Sequence, residues 1–285
     1  MVMNDAQRWN SVAGIRSIDL GDLRASYVPD GVVALKPRGW FPETTDDDWR
    51  EHAQHLDEAG QLVASIGGLL VERGSRAMLI DAGYGPSGSP DDPENAAIGA
   101  IHGRDLPENL AKLSRRPDEI EAIAITHLHT DHIGWALQDD FQAARVLLSE
   151  REWEQRDQHA ADVTDEMLHR LEKRVETVRD GQEIFPGVRV RHSFGHTPGH
   201  ASYTISSGGQ RLIVIGDALH SAAQVDNPTW PVRADVDRDE AFRSRLDLLR
   251  ELGEPNTIGF AIHFADVQFG RVSTEPAGTT WTPLP

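Results

Sequence analysis

Four side chains able to bind metals stand within six residues in the stretch Thr126-His127-Leu128-His129-Thr130-Asp131-His132. Ala122-Ile123-Ala124-Ile125 precedes it, a short continuous apolar run of the kind that forms a buried central strand. The four side chains therefore leave the end of a strand, where α/β folds place their sites. A turn there sends His127 and His129 toward one point and Asp131 and His132 toward a neighbouring one, which implies two metal ions. A lone histidine would be an ordinary polar loop residue. This density of imidazole and carboxylate, the ligands that zinc and its neighbours prefer, points to metal binding.

The composition narrows the chemistry. With no cysteine, any site is built from nitrogen and oxygen, and disulfides and thiolate nucleophiles are excluded. At 285 residues the chain can bury a sizeable core and is read as one domain, residues 1–285. Met1-Val2-Met3-Asn4-Asp5 carries no basic-then-apolar leader, and no run approaches the length of a membrane span, so a cytoplasmic protein without a membrane partner is expected. A net charge of -18 disfavours nucleic acid, whose binding depends on Lys and Arg displacing counterions. A small-molecule substrate is the expected partner, and a homodimer is left open.

In chain order, Gly14 to Leu20 alternates like an edge strand. Asp30-Gly31 to Phe41-Pro42 reads as a loop whose Trp40 and Phe41 either stay exposed or tuck into the core. Thr45-Asp46-Asp47-Asp48 has capping-box spacing before a helix with Trp49, Ala53 and Leu56 on one face and Gly60 as its stop. Leu62 to Glu72 and Ala77 to Asp81 read as a hairpin around Arg73-Gly74-Ser75-Arg76. The Gly-, Pro- and Asp-rich segment 84–104 is either a substrate-rim loop or disordered. A short helix over 107–113 precedes the metal turn, a helix begins at Ile133-Gly134-Trp135, and a strand follows at Arg145-Val146-Leu147-Leu148. Helical spacing continues through Leu168, Leu171, Val175 and Val178, with His159 and His169 as solvated helix residues. Val188 to Ser193, Ala201 to Ser206 and Arg211 to Ile215 read as strands. Asp237-Arg238-Asp239-Glu240 opens a last helix with Phe242, Leu246 and Leu249 as its apolar face and Gly253 as its end. Two such halves, sheets inside and helices outside, make a four-layered αβ/βα sandwich.

His127-Leu128-His129-Thr130-Asp131-His132 resembles the HxHxDH signature of the metallo-β-lactamase fold hydrolases. Gly195-His196-Thr197-Pro198-Gly199-His200 is similar to that family's third motif, and Gly216-Asp217 follows an apolar run as its bridging carboxylate does. Ile262-His263-Phe264 fits its last histidine, and Asp81 resembles a carboxylate that orients a ligand unless it simply forms a turn. The resemblance spans roughly residues 61 to 272, and four motifs in one order are more specific than any one. It implies one metal on His127, His129 and His196, a second on Asp131, His132 and His263, and Asp217 between them. The two divalent ions would be zinc, with manganese, iron or cobalt as alternatives, and would share a hydroxide. His200 would brace the third motif.

Asp131 and His220 are the candidate catalytic side chains. Lactonases of this fold carry Tyr where His220 stands, so the substitution leans toward the branch that includes methyl parathion hydrolase, and His220 is either a proton donor or pocket wall. The expected reaction is hydrolysis of a lactone, carboxylic ester or other small neutral substrate. The alternatives are a phosphotriesterase or phosphodiesterase of the same fold and a non-hydrolytic iron dioxygenase. Trp40, Phe41, Trp135, Trp230 and Phe264 are expected to form an aromatic rim without clustered Lys or Arg, which favours neutral substrates.

Overall fold

The computed structural model describes residues 5–159, 162–275 and 278–285; residues 1–4, read above for a leader, lie outside them. Two sheets stack face to face. The first runs in the order Gly88–Ser89, Ile98–His102, Leu23–Leu35, Leu62–Arg73, Arg76–Ile80, Ala122–Ala124, Arg145–Ser149, Val175–Val178, with Arg16–Leu20 paired to Leu23–Leu35. Its pairings are antiparallel as far as Arg76–Ile80 and parallel beyond. The second runs Glu183–Phe185, Val188–His192, Ala201–Ser207, Gln210–Val214, Thr257–Phe260, Phe269–Glu275, Gly278–Pro283. Its one parallel pair among the described residues, Gln210–Val214 with Thr257–Phe260, is joined by the helix Arg238–Leu252, as a parallel connection requires.

Strand alternation builds the layers. Leu69, Val71, Met78, Ile80, Ala122 and Ala124 point between the sheets and meet Tyr203, Ile205, Leu212, Val214 and Phe260. Their neighbours Leu70, Leu79 and Ile123 point the other way, beneath Leu106, Leu110, Ile133 and Leu171. On the far side Ile213 and Ile215 lie beneath Leu248, Leu249 and Leu252. The order is therefore helix, sheet, sheet, helix. Each large apolar side chain so buried contributes about 1.5–3 kcal/mol. A one-residue slip of Ala122–Ala124 would expose its core face, so packing fixes the register and with it the direction in which the metal turn leaves.

Several local expectations are met. The hairpin, the helix Leu106–Lys112 and the strand Arg145–Ser149 are present. Thr45 and Asp48 exchange both hydrogen bonds of a capping box. Others need correction. Residues 31–35 end the long strand Leu23–Leu35, which survives Pro29 because the pairing shifts register between Pro29 and Gly31. Pro37–Trp40 is a single helical turn, Phe41 is fully buried and Trp40 partly so. Helical periodicity does not run on through Val178: the helix is Asp165–Glu172, and Val175–Val178 joins the sheet edge, where β-branched residues pair well. The last helix buries Ala241, Arg245, Leu248, Leu249 and Leu252, while Leu246 is 41% exposed. Its inward face is thus rotated to take in an arginine, which binds carbonyls beside the site. No helix among the described residues is long and apolar enough to cross a membrane.

Candidate metal centre

The metal turn begins at Thr126, one residue past the buried Ile125. Asp81, at the end of the neighbouring strand, holds the turn in place. Its carboxylate accepts from the Thr126 amide (2.8 Å), the Thr126 hydroxyl (3.0 Å) and His132 Nδ1 (2.9 Å). Asp81 sits at φ 60°, strained for a residue with a side chain and tolerated here because so many bonds fix it. The side chain is thus more than a turn former: it orients His132.

The seven residues singled out in the sequence converge. His127, His129, His196 and Asp217 form one group, and Asp131, His132 and His263 another; within each, one donor atom per residue lies within 4.8 Å of the others. Asp217 also reaches both. Its Oδ2 lies 3.7 Å from His127 Nε2 and 3.6 Å from His196 Nε2, while Oδ1 lies 3.3 Å from His132 Nε2 and 3.2 Å from His263 Nε2. Donors around a tetrahedral ion with bonds near 2.1 Å stand about 3.4 Å apart, so these spacings suit cations. His132 Nε2, Asp217 Oδ1 and His220 Nδ1 are buried without hydrogen-bond partners. Each such orphan costs about 1–3 kcal/mol, a cost that metal coordination would remove for His132 and Asp217.

Outer partners aim the rings. The outward Nδ1 of His127 donates to Thr126 Oγ1 (3.0 Å), that of His196 to Asp235 (3.1 Å) and that of His263 to the Ser65 carbonyl (2.9 Å), which turns each Nε2 inward. Asp235 is held in turn by the buried Arg245, whose guanidinium also donates to the carbonyls of Ala218, Pro228 and Trp230. Glu152 ties the first and third motifs together: it accepts from the Leu128 amide (2.8 Å), the Thr197 hydroxyl (2.9 Å) and the Gly199 amide (2.8 Å). His159, expected in solvent, is buried with Nε2 3.1 Å from Glu152, because this acidic group needs a covering partner. His169 is exposed as expected. His200 bonds Ser193 through Nδ1, and its Nε2 accepts from the Asp217 amide (3.0 Å), so it braces the bridging carboxylate as well as its own motif. A Cβ at Gly216, which adopts φ 60°, would come within 2.6 Å of that nitrogen.

The loop that carries His263 is clamped from the start of the chain. Arg8 donates to the Asp266 carbonyl (3.0 Å) and the Leu284 carbonyl (3.0 Å), and Arg16 grips the buried Asp266 carboxylate at 3.1 and 2.7 Å. The Ser65 hydroxyl donates to Ala265 O (2.8 Å).

Burial pushes His127 and His129 well below the ordinary imidazole range, reinforced by neighbouring histidines. It acts the same way on His132 and His263, but there the carboxylates of Asp217, Asp131 and, for His132, Asp81 outweigh it and the net direction is up. Burial alone would raise Asp217; the surrounding imidazoles hold it well below the carboxylate range instead. An ion entering the second group would therefore displace protons. His200 falls to about 3 and His220 to about 4, chiefly through burial.

Above the seven residues lies a cavity of about 250 Å³, walled by Val33, Leu35, Trp40, Ala64, Ile98, Ile101 and Ala234. His220 lies at its floor with Nε2 3.0 Å from Asp217 Oδ2, and Trp40 packs edge-on against it at 5.3 Å. The aromatic rim needs correction. Of the five rings expected there, Trp40 lines the cavity. Phe41 and Trp230 pack on Trp49, Phe264 packs on Trp281, and Trp135 turns away to donate to the buried Asp30 (2.6 Å). The wall is mostly aliphatic, supplied by strands that carry no motif. Ile98 and Ile101 place part of segment 84–104 at the rim.

A family model of the metallo-beta-lactamase superfamily matches residues 69–256, two thirds of the chain. An N-acyl homoserine lactonase from a Bacillus species is 30% identical over 121 residues, 41% of this chain and 46% of that protein. The chain spans less than half the length of the curated relatives it matches. Among solved structures, AidC, a dizinc quorum-quenching lactonase, superposes with a TM-score of 0.81 at 20% identity over 97% of this chain and 99% of that one. The hydrolase AbOPH gives 0.77 at 24% identity over 97% and 99%. With the family model spanning six of the seven converging residues and both sheets matching these folds, the chain belongs to the metallo-β-lactamase superfamily.

Proposed function

We propose that this chain, acting as one domain, is a dinuclear metal-dependent hydrolase of lactones, carboxylic esters and related small neutral substrates. The observation that carries this reading is Asp217, which presents one oxygen to each of two His/Asp groups at the floor of an apolar cavity. His127, His129 and His196 would hold one ion and Asp131, His132 and His263 the other, with Asp217 shared. Nitrogen and oxygen donors suit zinc, and also manganese, iron or cobalt; the dizinc description of AidC favours zinc. When bound, such ions supply a hydroxide near neutral pH and polarise an acyl oxygen.

The chain's own residues do the rest. Val33, Leu35, Ile98 and Ile101 hold the substrate's apolar part and exclude water, and His220 is placed to donate a hydrogen bond to the departing oxygen. The relatives named as N-acyl homoserine lactonases support a lactone. The test is to load the protein with zinc, count ions per chain and follow acid release from medium-chain lactones and aryl esters. About two ions per chain and activity lost on chelation are expected. Full activity with one ion, or turnover of phosphodiesters while lactones and esters stay inert, would sink the proposal.

A further inference from the structure

The cavity lining contains three carboxylates, Asp131, Asp162 and Asp217, and neither Lys nor Arg. Asp131 and Asp217 belong to the two candidate metal groups, so bound cations would offset their charge; Asp162 belongs to neither. It is also fixed in place. Its Oδ2 accepts from the Thr130 amide at 2.9 Å and its Oδ1 from the Thr130 hydroxyl at 3.3 Å, one residue before Asp131. A tethered negative charge with no Lys or Arg beside it in the lining therefore stands at the solvent-exposed edge of a pocket whose wall is aliphatic.

Resting on the hydrolase reading above, we infer that Asp162 is a specificity-determining residue, selecting substrates whose side chain is neutral or cationic and rejecting those that bear a carboxylate. Like charges a few ångströms apart repel even through water, by about 5-fold in binding at 4 Å, and the apolar wall on one side of Asp162 keeps solvent from screening that repulsion fully.

The experiment uses two γ-lactones that differ only at the end of an α-acylamino chain, hexanoyl against its carboxylate-terminated analogue, with the zinc-loaded protein and Asp162→Asn. Asparagine keeps an acceptor oxygen for Thr130 and removes only the charge. The wild-type protein is expected to favour the neutral lactone by about 5-fold in kcat/KM. Asp162→Asn should shrink that preference by roughly 2- to 5-fold, through KM for the anionic lactone, as loss of one solvent-exposed charge implies. Added salt should shrink it in the wild type more than in the variant. A preference equal in both proteins would make Asp162 a brace for Thr130 and overturn the inference. Hydrolysis of neither lactone would instead overturn the hydrolase reading on which it rests.

Discussion

The floor of the cavity and its wall are built from different kinds of residue. The floor gathers His127, His129, Asp131, His132, His196, Asp217 and His263 from four turns at the ends of strands, and most of these side chains have an outward partner that fixes their angle. The wall takes Val33 and Leu35 from one strand, Ala64 from its neighbour, Ile98 and Ile101 from a third, and Trp40 from a one-turn helix. Changing a floor residue should alter what the protein binds as a cofactor. Changing a wall residue should alter which substrate is accepted and leave the cofactor alone.

The sharpest way to break this division is Asp217→Ala, which removes the oxygens facing both groups. It should lower metal content below two per chain and reduce kcat/KM by more than the roughly 10- to 100-fold that losing an outer partner costs; retention of two tightly held ions would refute the shared-carboxylate geometry. His220→Ala tests a floor residue outside the two groups. Metal content should stay intact while kcat falls about 10²-fold, the low end for general acid catalysis, and a variant that loses metal would place His220 among the ligands. Asp81→Asn and Asp235→Asn separate the two groups, since the first supports His132 and the second His196. Each should weaken one ion by about 10- to 100-fold and spare the other, as read by competition with a chelator. Equal loss of both ions in either variant would show that the groups are not independent. Trp40→Ala should leave both ions in place and raise KM for medium-chain lactones by about 10-fold, the lower end of what apolar pocket contacts contribute to discrimination. A loss of metal there would erase the distinction between wall and floor.

The same division explains what could be read from the sequence. Imidazoles and carboxylates clustered after apolar runs announce coordination chemistry, so the floor was legible, as were the alternating strands that fix its register. Glu152 was not. It is one of 46 acidic residues, and its donors Leu128, Thr197 and Gly199 come together only after two turns meet. Arg245 was hidden by its charge, since a helix face is read by its apolar residues and this one turns an arginine inward to reach carbonyls. Trp135 follows the metal turn directly but points to Asp30, which also accepts from the amides of Tyr84, Gly85, Arg104 and Leu106; the direction of its ring depends on that distant carboxylate. Val175 and Val178 fit a helix by spacing, but their segment pairs with the sheet edge beside it and sends the two side chains to opposite layers.

The clamp of Arg8 and Arg16 on Asp266 has a kinetic consequence. These contacts join residues 258 and 250 positions apart, so their loop-closure entropy is among the largest in the fold and they are expected to form late. Interactions absent from the folding transition state govern how fast a protein opens and hardly affect how fast it closes. Arg16→Met should accordingly steepen the loss of native signal on dilution into denaturant while leaving the refolding rate unchanged, with equal slowing of refolding as the contrary result. Because the clamped loop carries His263, late formation of the clamp would make the second candidate group one of the last parts of the molecule to be assembled, and the time for which that group stays intact would be governed by an arginine that does not belong to it.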